Sequence, residues 1–178
     1  MTDRRNQRTV SQGRSKAVAL GGILLALTIM VLYAESLAPT GRLSLFALSS
    51  FFVSVIVCEL GIKAGWLFYA GSALLSLALV PDKTGLLPYI IFFGLYGIIK
   101  YYAERFKNRV FEYLFKYVFF NLCLILAFYL ARELFIGQMV ISISPWLFVP
   151  GLEIAFAVYD YVYSLFIQYY RSRLRRFI

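Results

Sequence analysis

Six apolar runs, cut apart by Gly, Pro and basic residues, leave this chain few folds to choose from. They cover 17–38, 43–60, 64–80, 86–102, 111–135 and 150–170. A helix needs about 20 apolar residues to cross a bilayer. Backbone in hydrocarbon must also satisfy its own N–H and C=O groups, which a helix does within one segment. The expected fold is therefore all-α, a polytopic membrane helical bundle of about six transmembrane helices. The third and fourth runs are short, so they either tilt or stop partway. Four full crossings with two re-entrant pieces is the alternative. Hydrophobic residues make up 61% of the 178, against about 45–50% in soluble domains, which leaves too little polar side chain to clothe the chain in water. The organisation reads as a basic tail (1–16), one helical domain (17–170) and a short basic end (171–178).

Charge sets the expected orientation. The 18 Lys and Arg outnumber the 9 Asp and Glu, and cytoplasmic flanks of membrane helices collect Lys and Arg. With the N-terminus inside, only Arg42, Lys83 and Arg132 fall outside. Residues Lys63, Lys100, Lys116 and both basic ends fall inside. That predicts a multi-pass protein of a bacterial inner membrane with both termini cytoplasmic. The basic residues flank apolar spans and form no groove of their own, so the expected partner is the lipid bilayer and not nucleic acid. Tyr33, Trp66, Tyr89, Tyr101, Tyr102, Tyr169 and Tyr170 fall near predicted span ends, where an interfacial aromatic belt is expected.

Catalytic signals are sparse. The chain has no histidine, which removes Ser–His and Cys–His nucleophile pairs and His-ligated zinc or haem. Neither a GxSxG nor a Walker A motif occurs. Cys58 and Cys123 lie in different apolar runs and read as small core residues. No enzyme activity, metal or cofactor is expected.

The candidate functional residues gather on the later runs. Glu153, Ala157, Asp160, Ser164, Gln168 and Arg171 recur every three or four residues, so they fall along one face of the last helix. Carboxylates in a membrane are costly and face a protein interior or water. The orientation puts Glu153 near the outer mouth, Asp160 near mid-membrane and Arg171 at the inner surface. Glu35, at the outer end of the first run, is positioned to join Glu153 there. Asn121 lies deep in the fifth run, where an amide requires a partner. Trp146 sits in the Ser- and Pro-containing stretch before the last run, with Pro150 expected in that helix's first turn. Three roles stand for the stripe: interhelical glue, a site for a cationic or multiply hydrogen-bonding solute, and proton or ion passage. On the first run Ala19, Gly22 and Ala26 form a small-residue face, with Ala17 and Gly21 as a second small pair. Such faces admit a close helix, from this chain or from a partner.

Six short spans, both ends inside, spaced small residues on the first helix, a short Pro/Gly-containing loop at 37–43 and polar residues in the outer halves of later helices form a recognisable set. The layout resembles the substrate-binding S component of energy-coupling-factor transporters. That resemblance implies docking of the Ala19, Gly22 and Ala26 face on a membrane scaffold subunit that carries ATPase subunits. It also implies a small-molecule solute in the outer part of the later helices, where Asn121, Trp146, Glu153 and Asp160 fall. A different class shares the small six-span form: non-catalytic scaffold subunits of cell-envelope or cell-shape complexes, MreD-like.

Overall fold

A computed structural model describes residues 2–134 and 145–173, with side chains described for 15–130 and 150–173. Among the described residues six α-helices follow one another: α1 (Thr2–Leu37), α2 (Arg42–Leu60), α3 (Ile62–Leu79), α4 (Gly94–Ala103), α5 (Arg109–Leu134) and α6 (Pro145–Ser172). A π turn, Tyr89–Phe93, runs directly into α4. The protein is an all-α bundle, and no strand occurs among the described residues. Among the described residues four segments are long and apolar enough to cross a membrane: Ser15–Leu37, Arg42–Leu60, Ile62–Leu79 and Arg109–Leu130. The fourth apolar helix, Tyr89–Ala103, is shorter.

Punctuation explains the corners. Gly41 (φ 76°) precedes α2, and Gly61 (φ 86°) separates α2 from α3. Both occupy left-handed backbone that side chains disfavour. Two boundaries differ from the sequence pattern. Helix α1 starts at Thr2, ahead of the apolar run, so the basic segment is continuous with the helix; once the apolar run nucleates a helix, adding residues to its end costs little. Helix α6 starts at Pro145, which takes the first-turn place expected for Pro150, and Pro150 lies inside the helix.

Helix α2 is the hub, packing against α1, α3, α4 and α6. Near the end that carries the 38–41 corner, Leu32, Phe46, Val80, Leu86, Tyr89 and Phe93 form one apolar cluster. Val53, Ile56, Val57, Phe68 and Ile98 form another where α2, α3 and α4 meet. Close approach there depends on missing side chains: a Cβ on Gly65 would fall 2.5 Å from Val57 Cγ2, and one on Gly97 would fall 2.7 Å from the Tyr163 hydroxyl.

Serines on α2 stitch the bundle. Ser50 donates back to the Ala47 carbonyl at 2.6 Å, so the Tyr159 hydroxyl, 2.8 Å away, is the donor to Ser50. Tyr163 donates to the Ser50 carbonyl at 2.9 Å, which makes Ser54 the donor in the 2.5 Å bond between Ser54 and Tyr163. Buried hydroxyls are satisfied in pairs by this arrangement. Two tyrosines expected in an interfacial belt are core residues instead. Tyr89 is fully buried against Ser72 at 2.7 Å, and Tyr170 donates to Glu59 at 3.2 Å.

At the corner end, Arg42 ties three elements. Its guanidinium lies 3.2 Å from Asp82 and 3.5 Å from Glu35. Asp82 accepts the Gly85 N–H at 2.8 Å, and that bond holds its carboxyl below the usual 3.8.

Candidate functional site

Helices α4, α5 and α6 converge on one carboxylate. Asp160 accepts hydrogen bonds from the Tyr96 hydroxyl at 2.5 Å, from Lys100 Nζ, and from Lys116 Nζ at 3.2 Å. Lys100 also donates to Ser164 Oγ at 2.8 Å and lies 3.8 Å from Glu104. Lys116 donates to Glu112 at 2.6 Å, one turn back on α5. The lysines are 1% and 2% exposed and Asp160 is 8% exposed. Removing ions from water is expensive, and only full pairing offsets that cost. Here every charge has a partner, and the partners come from three helices. The cluster is a three-way tie, with Asp160 as its knot.

The cluster opens toward one end through a polar cleft of about 420 Å³, lined by Glu104, Ser164, Ile167, Gln168, Arg171 and Ser172. Toward the other end it is roofed by aromatic rings. Tyr96 sits 5.3 Å from Phe92, 5.0 Å from Tyr159 and 5.8 Å from Phe156, centroid to centroid.

Above those rings lies a cavity of about 350 Å³ walled by the start of α2, the π turn, α5 and α6. Its wall is apolar: Leu43 and Ala47 come from α2, Ile91 to Phe93 from the π turn, Phe120 to Ala127 from one face of α5, and Leu152 to Tyr159 from one face of α6. The π turn is the unusual part. Such turns disturb the regular bonding of a helix and recur at functional sites. Its carbonyls are taken up by neighbours: the Tyr69 hydroxyl donates to Ile90 O at 2.7 Å, and the Cys123 thiol donates to Ile91 O at 3.3 Å. That turn carries Phe92 and Phe93 into the cavity wall.

Of the sequence-predicted site residues, the structure brings Asn121 and Glu153 together and places Glu35 and Asp160 elsewhere. Glu153 accepts from Asn121 Nδ2 at 2.8 Å, while its second carboxylate oxygen is buried without a partner. Asn121 also donates to Tyr117 O at 2.9 Å. Glu35 is fully buried beside Arg42, on the α1–α2 corner, and neither of its oxygens accepts a hydrogen bond. Asp160 belongs to the lysine cluster. None of these four lines the cavity. The Trp146 side chain lies outside the described residues. The stripe itself divides: Asp160 is buried, Ala157 is exposed, and Ser164, Gln168 and Arg171 line the polar cleft. Ala19, Gly22 and Ala26 are exposed on α1, and nothing lies within 4 Å of a Cβ built on Gly22.

Sequence reasoning placed Lys100 and Lys116 among the inner basic residues without joining either to Asp160, and did not name Tyr96 as a site residue. A signal was present for Lys116. It shares a face with Phe120 and Cys123, at i+4 and i+7, which marks it as inward. No family model, curated protein or solved structure matches this chain.

Proposed function

We propose that this protein is a non-catalytic, small-molecule-binding membrane subunit, the solute-binding component of an uptake transporter of the energy-coupling-factor kind. The carrying observation is the cavity of about 350 Å³ between α2, the π turn, α5 and α6. Ligand pockets are concave, mostly apolar and largely preformed, and this one has those properties. In the orientation given by the basic residues, the cavity lies in the outer half of a bacterial inner-membrane protein whose termini are cytoplasmic. The exposed Ala19, Gly22 and Ala26 face of α1 supports a docking role, since none of the described residues covers it. The partner in that role is a membrane scaffold that carries ATPase subunits.

The ligand's buried part differs in character from the sequence expectation. Glu153, Asn121 and Asp160 are engaged with protein partners, so the portion of a solute inside the cavity meets hydrocarbon and aromatic rings.

One observation favours a scaffold role in an envelope or cell-shape complex. The charged cluster is spent entirely on joining α4, α5 and α6. Affinity purification from cells separates the two. The transporter role predicts co-purification of an ATPase–scaffold pair, lost in Gly22→Leu with no change in the unfolding midpoint. Recovery of envelope proteins without ATPase subunits, unaffected by Gly22→Leu, would contradict it.

A further inference from the structure

The docking face of α1 continues past the membrane, on the basis that Ala19, Gly22 and Ala26 meet a partner subunit. We propose that residues 2–14 of α1 dock on an acidic helix, the cytoplasmic continuation of that same partner. The spacing puts both parts on one face. Arg4, Arg8, Ser15, Ala19, Gly22 and Ala26 follow at intervals of 4, 7, 4, 3 and 4. Helix α1 is one unbroken element, Thr2–Leu37, so these positions fall within about 60° of one another around its axis. Along the span the stripe is open: Ser15, Ala19, Gly22 and Ala26 are exposed, and Met30, Tyr33 and Leu37 continue it, exposed as well.

The composition of 2–14 says what chemistry it meets. It holds four arginines (Arg4, Arg5, Arg8 and Arg14), one acid (Asp3) and one aliphatic residue (Val10). A helix polar all round needs stabilising pairs or something to bridge. Asn6, Thr9, Ser11 and Gly13 are weak helix formers, and Arg4 and Arg8 repel each other one turn apart. Continuation from the span removes the cost of nucleation but supplies no counter-charge. Carboxylates on a neighbouring helix supply it, as opposite charges do along paired helices.

Length and phase decide where those carboxylates come from. At about 1.5 Å per residue, Arg4 stands about 16 Å beyond Ser15, where the span begins. Headgroups take up about 5–7 Å of that distance, and a charged surface is screened within about 8 Å. Arg14 and Lys16 therefore lie at headgroup depth, and Arg4 is past the reach of anionic lipid. Nucleic acid would answer the charge, but no part of it lies in the bilayer against Ala19, Gly22 and Ala26. A helix that leaves the membrane beside α1 meets both parts at once, and small residues let it approach closely.

The test traps partners of the full chain in its own cells from two positions. In Arg8→Lys, a carbodiimide should join the introduced amine to an Asp or Glu of a membrane protein. A photo-crosslinking residue in place of Ala26 should trap the same protein. Arg8→Glu should cut recovery of that protein about tenfold, because like charges would then face each other. Arg14→Glu makes the same change of charge on another face and should leave recovery near wild type, at equal amounts in the membrane. If position 26 traps a protein while position 8 joins only phosphatidylserine, or nothing, the proposal fails and the docking role of the small-residue face stands. Equal losses in Arg8→Glu and Arg14→Glu, or recovery abolished by nuclease, would also overturn it. So would a protein at position 8 that position 26 does not trap. No protein trapped at either position would overturn both readings.

Discussion

The two halves of the later helices use aromatic residues to opposite ends. Around Asp160, Tyr96 turns its hydroxyl into a carboxylate shared by two buried lysines, and every polar atom there has a partner. One turn away, Phe92, Phe156 and Tyr159 wall a space of about 350 Å³ that no described side chain fills. The first region spends ionic groups to fix three helices in register. The second keeps the helices apart. The lysine–aspartate tie joins α4, α5 and α6 beside that space without lining it. The contrast separates a part that ties helices together from a part that leaves space between them.

The most severe way to break the contrast is to cut the knot. Asp160→Ala leaves two lysines buried without their shared counter-ion. Removing one partner of a buried pair costs about 3–5 kcal/mol, so the variant should lose most of its folded fraction in detergent unfolding. Replacing an ion pair by apolar groups is far milder than halving it. Asp160→Asn combined with Lys100→Met should therefore recover much of the loss, with Lys116 still paired to Glu112. Failure of that rescue would show that the cluster does more than join helices.

Next in size is Gly97→Ala. The new methyl would fall 2.7 Å from the Tyr163 hydroxyl and 2.8 Å from Ser54 Oγ. Overpacking of this kind costs about 1–3 kcal/mol, visible as a lowered unfolding midpoint. Tyr163→Phe removes the bonds to Ser54 and to the Ser50 carbonyl, at about 1 kcal/mol for a typical bond. Changes at the cavity should be smaller again. Ala127 is exposed on the cavity wall, so Ala127→Leu should alter the midpoint little, which sharpens the distinction between tie and cavity. Smallest of all is a pH effect at the corner. Asp82 is held below its usual 3.8 by the Gly85 N–H. The stability it contributes is full above 3.8 and is lost as the pH falls below it. Asp82→Asn should flatten that acid limb slightly in a midpoint-versus-pH series.

Much of the fold was legible because its boundaries are written in residue types that act locally. Gly41, Gly61 and Pro81 bracket α2 and α3 within two residues of the apolar runs. Helix α6 was less legible because it contains two prolines, and periodicity does not say which one opens the helix. The site was harder still. The stripe from Glu153 to Arg171 divides between a buried Asp160 and exposed Ala157, Gln168 and Arg171, and a shared face does not name its partners. Lys100, Lys116 and Asp160 lie in three separate runs, and only packing brings them within a bond. Each lysine near a span end also reads as an interfacial anchor, because the aliphatic stem allows either place. The cavity had no signal at all in sequence: Phe92, Leu124 and Ala155 are ordinary membrane-helix residues until a π turn and a gap between helices set them around a void.

The contrast between tie and space is tested most directly by the midpoint shift that 1-decanol produces in nanodiscs. Wild type, Asp160→Asn and Ala155→Trp would be compared side by side. The account predicts a lowered midpoint with the decanol shift retained in Asp160→Asn, and an unchanged midpoint with the shift lost in Ala155→Trp. An Asp160→Asn protein with wild-type stability and no decanol shift would contradict it.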